Sequence, residues 1–490
     1  MRSEKLYDAL TEVDGALVDE AAAPAEKQKK KRAVRLRWIG AIAAVLAAAI
    51  LLTAVLRPGG TGGLTAYALE TPSYPAAAPY PDVNALMSGG EVDQEAFTAA
   101  FDAWSSDRWQ RVSARNRYSA DDLHDYLAAV IPAFLGGHDG ENVSCSPTNL
   151  CLALAMLAET TGGETREQIL SLLGVSDMDS LRALANNLFL ANYNDDGAMK
   201  SLLASAIWLR DDLDYKAETL KRLAENYYAA SFRGTMGSEA YDKLLRQWLN
   251  EQTGQQLTDQ IGSLSFDPET VLALTATVDF SKQWYVEFQP ERTEDGVFHA
   301  VGGELACRMM RQDVDSAGFY YWGERFGAVT LSFKEGGETR FLLPDEGVTP
   351  EALLEDSEAL AFLLTQNCQN WENSKNLIIH LSVPKFDVSS QLTLDQSLRE
   401  LGLTDAFDPK TADFSPLTDT EGVFLSELRH GTRIAVDEKG VTASAYTIIP
   451  GAGAAMPPDE EIDFTLDRPF LFAVYGEDKL PLFVGVVNQP

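Results

Sequence analysis

The chain has 490 residues, is 45% hydrophobic and carries a formal net charge of −33. At roughly 100–200 residues per domain that length supports a sizeable core, as two to four domains or one large one. An acidic balance with only 40 Lys and Arg argues against nucleic acid, an anionic lipid face or a heparin-type polysaccharide as partner, because those need clustered cations.

In chain order, residues 1–37 form a cytosolic N-terminal segment that ends in KQKKKRAVRLR, with seven Lys and Arg over 27–37. Residues 38–56, WIGAIAAVLAAAILLTAVL, contain 19 residues and no charge, enough to cross a hydrocarbon core of about 30 Å. The basic cluster on the N-terminal side orients this transmembrane helix with the remaining chain outside the cell. Secretion after cleavage near Ala68 is the alternative, because Ala66-Tyr67-Ala68 resembles a signal-peptide site. Residues 57–120 read as an extracellular spacer. The Gly-, Pro- and Ala-rich part up to residue 90 is too poor in core residues to fold alone. Residues 91–118 carry an amphipathic helical pattern through Phe97, Phe101, Trp104 and Trp109.

Residues 121–490 read as one globular domain. A helix is expected over Leu123, Tyr126, Leu127, Val130 and Ile131, with Asp121-Asp122 as its cap. The uniformly apolar LCLALAMLA at 150–158 predicts a helix buried on all sides. Further helices are expected from Thr165 to Gly174, over 215–227 and over 238–252. From residue 270 strands dominate: VLALTATVDF, FGAVTLSF, TRFLLP, NLIIHLSVPKF, RPFLFAVYG and PLFVGVV. Helices first and strands later predict an α+β fold with large mixed sheets. The cysteines Cys145, Cys151, Cys307 and Cys368 form no C-x-x-C pair. Four free thiols are expected in a chain too long to need staples; two disulfides in any of three connectivities are the alternative.

No catalytic or metal-binding motif is present. The five histidines, His124, His138, His299, His380 and His430, make no H-E-x-x-H, and neither G-x-S-x-G nor a phosphate-binding loop occurs. The sequence therefore gives no case for an enzyme, a metal or a cofactor. One segment stands out. From Gly440 to Pro458 the chain holds no charge, although acids flank it on both sides. Its first half has strand character, through Tyr446, Thr447, Ile448 and Ile449; its second half, from Pro450 through Gly453, reads as a hinge.

A set of segments in order resembles the serpins. They are Asn142-Val143-Ser144-Cys145-Ser146-Pro147 with the apolar helix after it, Gly163-Glu164-Thr165, Trp248 with Thr253, Phe280 with Trp284, and Met309-Met310-Arg311-Gln312. Leu381-Ser382-Val383-Pro384-Lys385-Phe386, Leu401-Gly402-Leu403 with Phe407, and Ala412-Asp413-Phe414-Ser415 come next. Ser426 with His430, Val436-Asp437-Glu438-Lys439-Gly440, Asp467 to Phe472 and Phe483-Val484-Gly485 complete the pattern.

The resemblance implies a serpin-like fold with about eight to nine helices and an exposed reactive centre loop. It implies a serine protease inhibitor that acts as a monomer and a suicide substrate; the anchor and spacer suggest that this member is membrane-anchored and of bacterial type. Glu438, Gly440, Val441, Thr442, Ala443, Ser444, Ala445 and Thr447 would be the hinge and inserting loop. Counting from Glu438 as in the family sets the reactive bond at Ala454–Ala455. A small residue there suits an elastase-like pocket and would leave the acid of a trypsin-like pocket unpaired. Ser146, Asn149, Trp284 and His430 would form the shutter and breach. The family asparagine that faces the histidine corresponds to Ala276, and its second serine to Asn149, so the two changes are expected to compensate; a helix cap is the other reading of Asn149. Because a proline removes a ladder bond, Pro450 favours the alternative, a non-inhibitory serpin serving as a surface-tethered binding or scaffold module.

Overall fold

The computed structural model describes residues 61–83, 85–88, 91–115, 123–138, 140–197, 199–255, 261–314, 319–334, 336–441 and 460–490. Residues 63–490 make one compact unit. The span expected at 38–56 lies outside the described residues. Among those described, no helix is long and apolar enough to cross a membrane.

The chain begins with α1 (Thr61–Tyr67), β1 (Ala68–Glu70), the short pair β2 (Met87–Ser88) and β3 (Glu91–Val92), and the long helix α2 (Gln94–Arg115). Then come α3 (His124–Leu135), β4 (Val143–Cys145), α4 (Pro147–Thr160), α5 (Gly163–Leu172), α6 (Met178–Asn192), β5 (Asn194–Asp195), β6 (Lys200–Arg210), α7 (Ala217–Asn226), β7 (Ala229–Gly234) and α8 (Glu239–Gln252). The second half holds β8 (Leu272–Gln283), β9 (Glu294–Ala300), β10 (Gly303–Val314), β11 (Phe319–Trp322), β12 (Phe326–Ser332), β13 (Glu338–Pro344), α9 (Pro350–Leu354) and α10 (Ser357–Leu364). It ends with β14 (Ser374–Asn376), β15 (Ile378–Pro384), β16 (Phe386–Thr393), α11 (Asp395–Glu400), β17 (Glu427–Val436), β18 (Gly440–Val441), β19 (Glu461–Thr465), β20 (Phe470–Tyr475) and β21 (Pro481–Val487). Eight of these eleven helices have eight residues or more.

The apolar run 150–158 lies in α4, which is buried along its whole length. Pro147 occupies its first turn and the Ser146 hydroxyl accepts from the Asn149 amide at 3.4 Å, so Ser146 caps the helix and Asn149 does not. The α+β class holds, but the elements interleave more than the sequence pattern predicts. Strands β6 and β7 rise within the helical half. β6 is buried almost throughout, and a strand covered on both faces loses the polar–apolar alternation that would reveal it.

Three sheets organise the unit. An eight-stranded mixed sheet runs β1-β7-β6-β8-β18-β17-β16, with β5 added on β6; a seven-stranded sheet runs β14-β11-β12-β13-β20-β21-β4; a four-stranded sheet runs β19-β15-β10-β9. The two larger sheets share a core that includes Phe280, Trp284, Phe341, Phe386, Phe472 and Phe483. Helix α8 covers the other face of the eight-stranded sheet through Tyr241, Leu245 and Trp248, packed with Trp208 and Phe266.

Residues 63–83 and 85–88, expected within a spacer, are instead laid on this unit. β1 pairs antiparallel with β7, Tyr74 stacks on Tyr193 at 5.3 Å, and the Tyr80 amide donates to the Asp196 carbonyl at 2.6 Å. The segment has no core of its own, yet its aromatic residues find one already made. All four cysteines are free; Cys145, Cys151 and Cys368 are buried. Burial pushes the Cys145 and Cys151 thiols up to about 12 and Cys368 to about 11, so they are protonated and inert.

Glu159 joins three helices. Its carboxylate, 2% exposed, accepts from Arg182 at 2.8 and 3.0 Å, from Arg222 at 2.6 Å and from the Tyr227 hydroxyl at 2.9 Å. Burial pushes this carboxyl up, but the donors outweigh it and hold it below the usual range. Glu159→Ala leaves two guanidinium groups and a phenol without their acceptor. Equilibrium denaturation should show a loss of about 3 kcal/mol.

Candidate functional site

The middle of the eight-stranded sheet is forked. β17 pairs in parallel with β8 from Glu427↔Ala273 to Gly431↔Thr277. Beyond that point both strands continue, β8 to Gln283 and β17 to Val436, but β18 stands between them. Val441 pairs with Val436 on one side and with Lys282 on the other, and Gly440 pairs with Gln283. Gly440 is required by close approach: a Cβ there would overlap the Lys282 carbonyl oxygen. Val441 is fully buried in the core between the two larger sheets.

Several groups hold the hinge at the mouth of the fork. The Trp284 indole donates to the Asp437 carbonyl at 3.0 Å, and its amide donates to the Lys439 carbonyl at 2.9 Å. The Trp284 ring, 1% exposed, stacks on Phe333 at 5.1 Å. Glu438 accepts from the Thr293 hydroxyl at 3.0 Å and from the Lys385 ammonium at 2.8 Å. Partial burial pushes its carboxyl up, and Lys385, Thr293 and a backbone donor outweigh that and hold it below the ordinary range. Asp437 closes the turn, accepting from the amides of Lys439 at 2.8 Å and Gly440 at 3.2 Å. At the far end of the loop, β19 pairs in parallel with β15.

His430 sits one residue from the crotch of the fork, opposite Ala276. Its Nε2 accepts from the Ser146 amide at 2.8 Å, which ties β17 to the start of α4 and leaves the proton on Nδ1. Full burial lowers its pKa to about 4. Nδ1 has no partner among the described residues, because Ala276 presents only a methyl group. The expected compensation by Asn149 is not found: its amide nitrogen and oxygen are buried and make no hydrogen bond to a described residue. Beside this histidine is a hydroxyl cluster of which the quoted motifs contain Ser144 but neither Ser390 nor Thr432. The Ser144 amide donates to the Ser390 hydroxyl at 2.8 Å, the Thr432 hydroxyl donates to the Ser144 carbonyl at 3.0 Å, and the Ser144 and Thr432 hydroxyls lie 2.8 Å apart. Ser390 and Thr432 are register partners on β16 and β17, and both side chains are buried; this alternation was their available signal.

The structure thus brings together Trp284, Glu438, Gly440 and Val441 at the fork mouth, and Ser146 with His430 at its crotch. Asn149 lies on α4 beside Ser146. Thr442, Ala443, Ser444, Ala445, Thr447, Ala454 and Ala455 fall outside the described residues. No group of three or more His, Cys, Asp or Glu among the described residues could hold a metal.

A neutral buried histidine has a pH signature. The unfolded chain binds a proton on His430 near the ordinary 6.5, the folded chain only near 4. Its contribution is whole above the unfolded value and is lost as pH falls toward the folded one. The loss should be about 3 kcal/mol, read as the difference in denaturant stability between the wild-type chain and His430→Gln from pH 7.5 to about 4.

The Serpin (serine protease inhibitor) family model matches residues 130–490. Plasminogen activator inhibitor 1 of Sus scrofa is 28% identical over 399 residues, covering 76% of this chain and 95% of that protein. Alpha-1-antiproteinase of Rattus norvegicus is 26% identical over 402 residues, covering 80% and 94%. Among solved structures, the thermophilic serpin Tengpin in its native state superposes with a TM-score of 0.66 at 25% identity, covering 76% of this chain and 94% of that one. An Arabidopsis serpin in its native stressed conformation gives a TM-score of 0.65 at 23% identity, covering 78% and 98%. The forked sheet, the hinge seated in it and these matches have one conclusion: the chain belongs to the serpins, serine protease inhibitors and not enzymes.

Proposed function

We propose that this serpin is an extracellular suicide-substrate inhibitor of an elastase-like protease, cleaved at Ala454–Ala455. The protease serine attacks the Ala454 carbonyl, the ester forms, the amide bond to Ala455 breaks, and the new amine takes a proton and departs. The severed loop then enters the fork and carries the acylated protease with it before water hydrolyses the ester. The observation that carries this reading is the β18 rung, Gly440–Val441, already paired on both sides within the fork.

Continuing that register gives the insertion a length. Each residue beyond Val441 advances one step down β8 and one step down β17, so Pro450 would arrive opposite Ala273 and Glu427. Those two are the lowest partners in the present parallel pairing, and β17 begins at Glu427. Residues 442–450 therefore match the length of the fork plus the pairing to be parted. Val441 already faces the core, so Ala443, Ala445, Thr447 and Ile449 would follow it inward by alternation. None carries a charge to desolvate. At a net 0.5–1.5 kcal/mol per ladder bond, such a strand gains an amount comparable with the whole stability of a domain.

Pro450 would fall on the last rung, where the absent N–H costs little. That removes its weight in favour of a non-inhibitory binding or scaffold module. We further propose that residues 38–56 anchor the protein in the cell membrane, on the strength of the uncharged run and its basic flank. A surface-held inhibitor would shield a bacterial cell from outside proteases.

Two experiments test the reading. Mixing the protein with an elastase should give a complex stable on denaturing gels and a peptide beginning at Ala455; clean cleavage with full protease activity would sink the inhibitory assignment. Pro450→Ala should leave the ratio of inhibition to turnover within about fivefold, since a ladder bond nets only about 1 kcal/mol. Ala445→Pro, mid-strand, should turn the protein into a substrate. Equal effects at the two positions would refute the register.

A further inference from the structure

We infer that residues 61–115 form an intramolecular strap that opposes opening of the eight-stranded sheet and so sets the threshold for loop insertion. The inference rests on the insertion reading above. To part at the fork, β7, β6 and β8 must shift as a block away from β17, β16 and the seven-stranded sheet behind them. The strap is attached on both sides of that division.

Its attachments to the block are extensive. β1 adds a strand to the edge of β7, through Ala68↔Phe232 and Glu70↔Ser231. Leu64 and Tyr67 join the cluster beneath α8, with Tyr67 5.7 Å from Tyr241. In α2 the Trp104 side chain, 4% exposed, donates from Nε1 to Asp196 Oδ2 at 3.0 Å, in the turn between β5 and β6. Two turns further, Arg111 donates to Asn194 Oδ1 at 2.6 Å.

Its attachment to the other side is Arg108. The guanidinium meets Glu477 Oε1 at 3.0 Å, and Glu477 lies in the turn between β20 and β21, in the seven-stranded sheet. The pair is largely sheltered, at 24% and 14% side-chain exposure, so salt screens it less than an open surface pair. The same carboxylate oxygen is 4.0 Å from the ammonium of Lys282, which is 4% exposed and whose backbone pairs with hinge residue Val441. Lys282 also donates to the Gly336 carbonyl at 2.9 Å. Glu477 therefore connects the strap to the strand that bounds the fork mouth.

The strap is also separable. A cavity of about 230 Å3, lined by Ala76, Asp107, Arg111 and Tyr193 among others, runs along its seam with α6. Among its attachments, Trp104 and Arg108 can be altered without cutting into the two sheets.

The test follows the uncleaved full chain in detergent micelles as it passes to a urea-resistant, loop-inserted form. Loop-cleaved wild-type chain serves as the reference for that form. Trp104→Ala and Arg108→Glu are compared with the wild type and with Trp109→Ala, a control on the same helix that is 72% exposed. Both strap variants should convert about tenfold faster, the factor expected for about 1.4 kcal/mol off a barrier. Their β6 and β7 amides should exchange with deuterium faster, and Trp109→Ala should match the wild type. Conversion of both strap variants at the wild-type rate would overturn the strap while leaving insertion intact. If Trp104→Ala does not fold, Arg108→Glu decides. If loop-cleaved wild type gains no urea resistance, insertion itself fails and the strap falls with it.

Discussion

Two adjacent strands in the centre of a sheet stop pairing partway along, and the rest of the chain is arranged around that interruption. Five residue pairs join β8 to β17 below, and one residue of the hinge bridges them above. Backbone donors and acceptors in a sheet centre are obligatory hydrogen-bonding groups, so a fork there is a place where a strand is wanted. The hinge residues Gly440 and Val441 stand at its mouth. Under the insertion proposed above, the free energy released is that of the pairing gained there.

The polar groups fall into two sets accordingly. Around the mouth they are charged and partly open, with Glu438 between Lys385 and Thr293, and the Asp437 turn beneath Gly440. Charge suits that position because a hinge must leave its partners without stranding a buried ion. At the crotch they are neutral and fully buried: His430 on the Ser146 amide, with Ser144, Ser390 and Thr432 beside it. Neutral groups join β4, β16, β17 and the start of α4 at modest desolvation cost, and they can re-form on new partners as strands shift. The departure at Ala276 deprives the histidine of a second partner, and Asn149 does not supply one.

Much of the site was legible in the sequence, for particular reasons. Ser146 stands in a motif quoted for the family resemblance, but its role as helix cap came only from the structure, the sequence having offered Asn149 for it. Gly440 stands at the head of an uncharged segment, and Trp284 was singled out by the family resemblance. Ser144, Ser390, Thr432 and Lys385 were not legible as a group, because each is an ordinary strand or turn residue whose meaning depends on a partner from 53 to 288 positions away. Strand β6 escaped because burial on both faces removes alternation. Residues 63–83 and 85–88 were misread because composition reports whether a segment can fold by itself, not whether a finished surface will receive it.

The sequence by itself determined what depends on local composition and spacing: the uncharged run at 38–56 with its basic flank, the buried helix α4, and a loop free of charge on the alternating face that insertion requires. Tertiary structure decided where β8 and β17 part, where Gly440 and Val441 sit between them, and how Arg108 reaches Glu477 across 369 residues. The physical reason is the same in each case. Side-chain period and charge are properties of neighbours along the chain, whereas register and ion pairing between distant segments exist only once both have been packed against a common core.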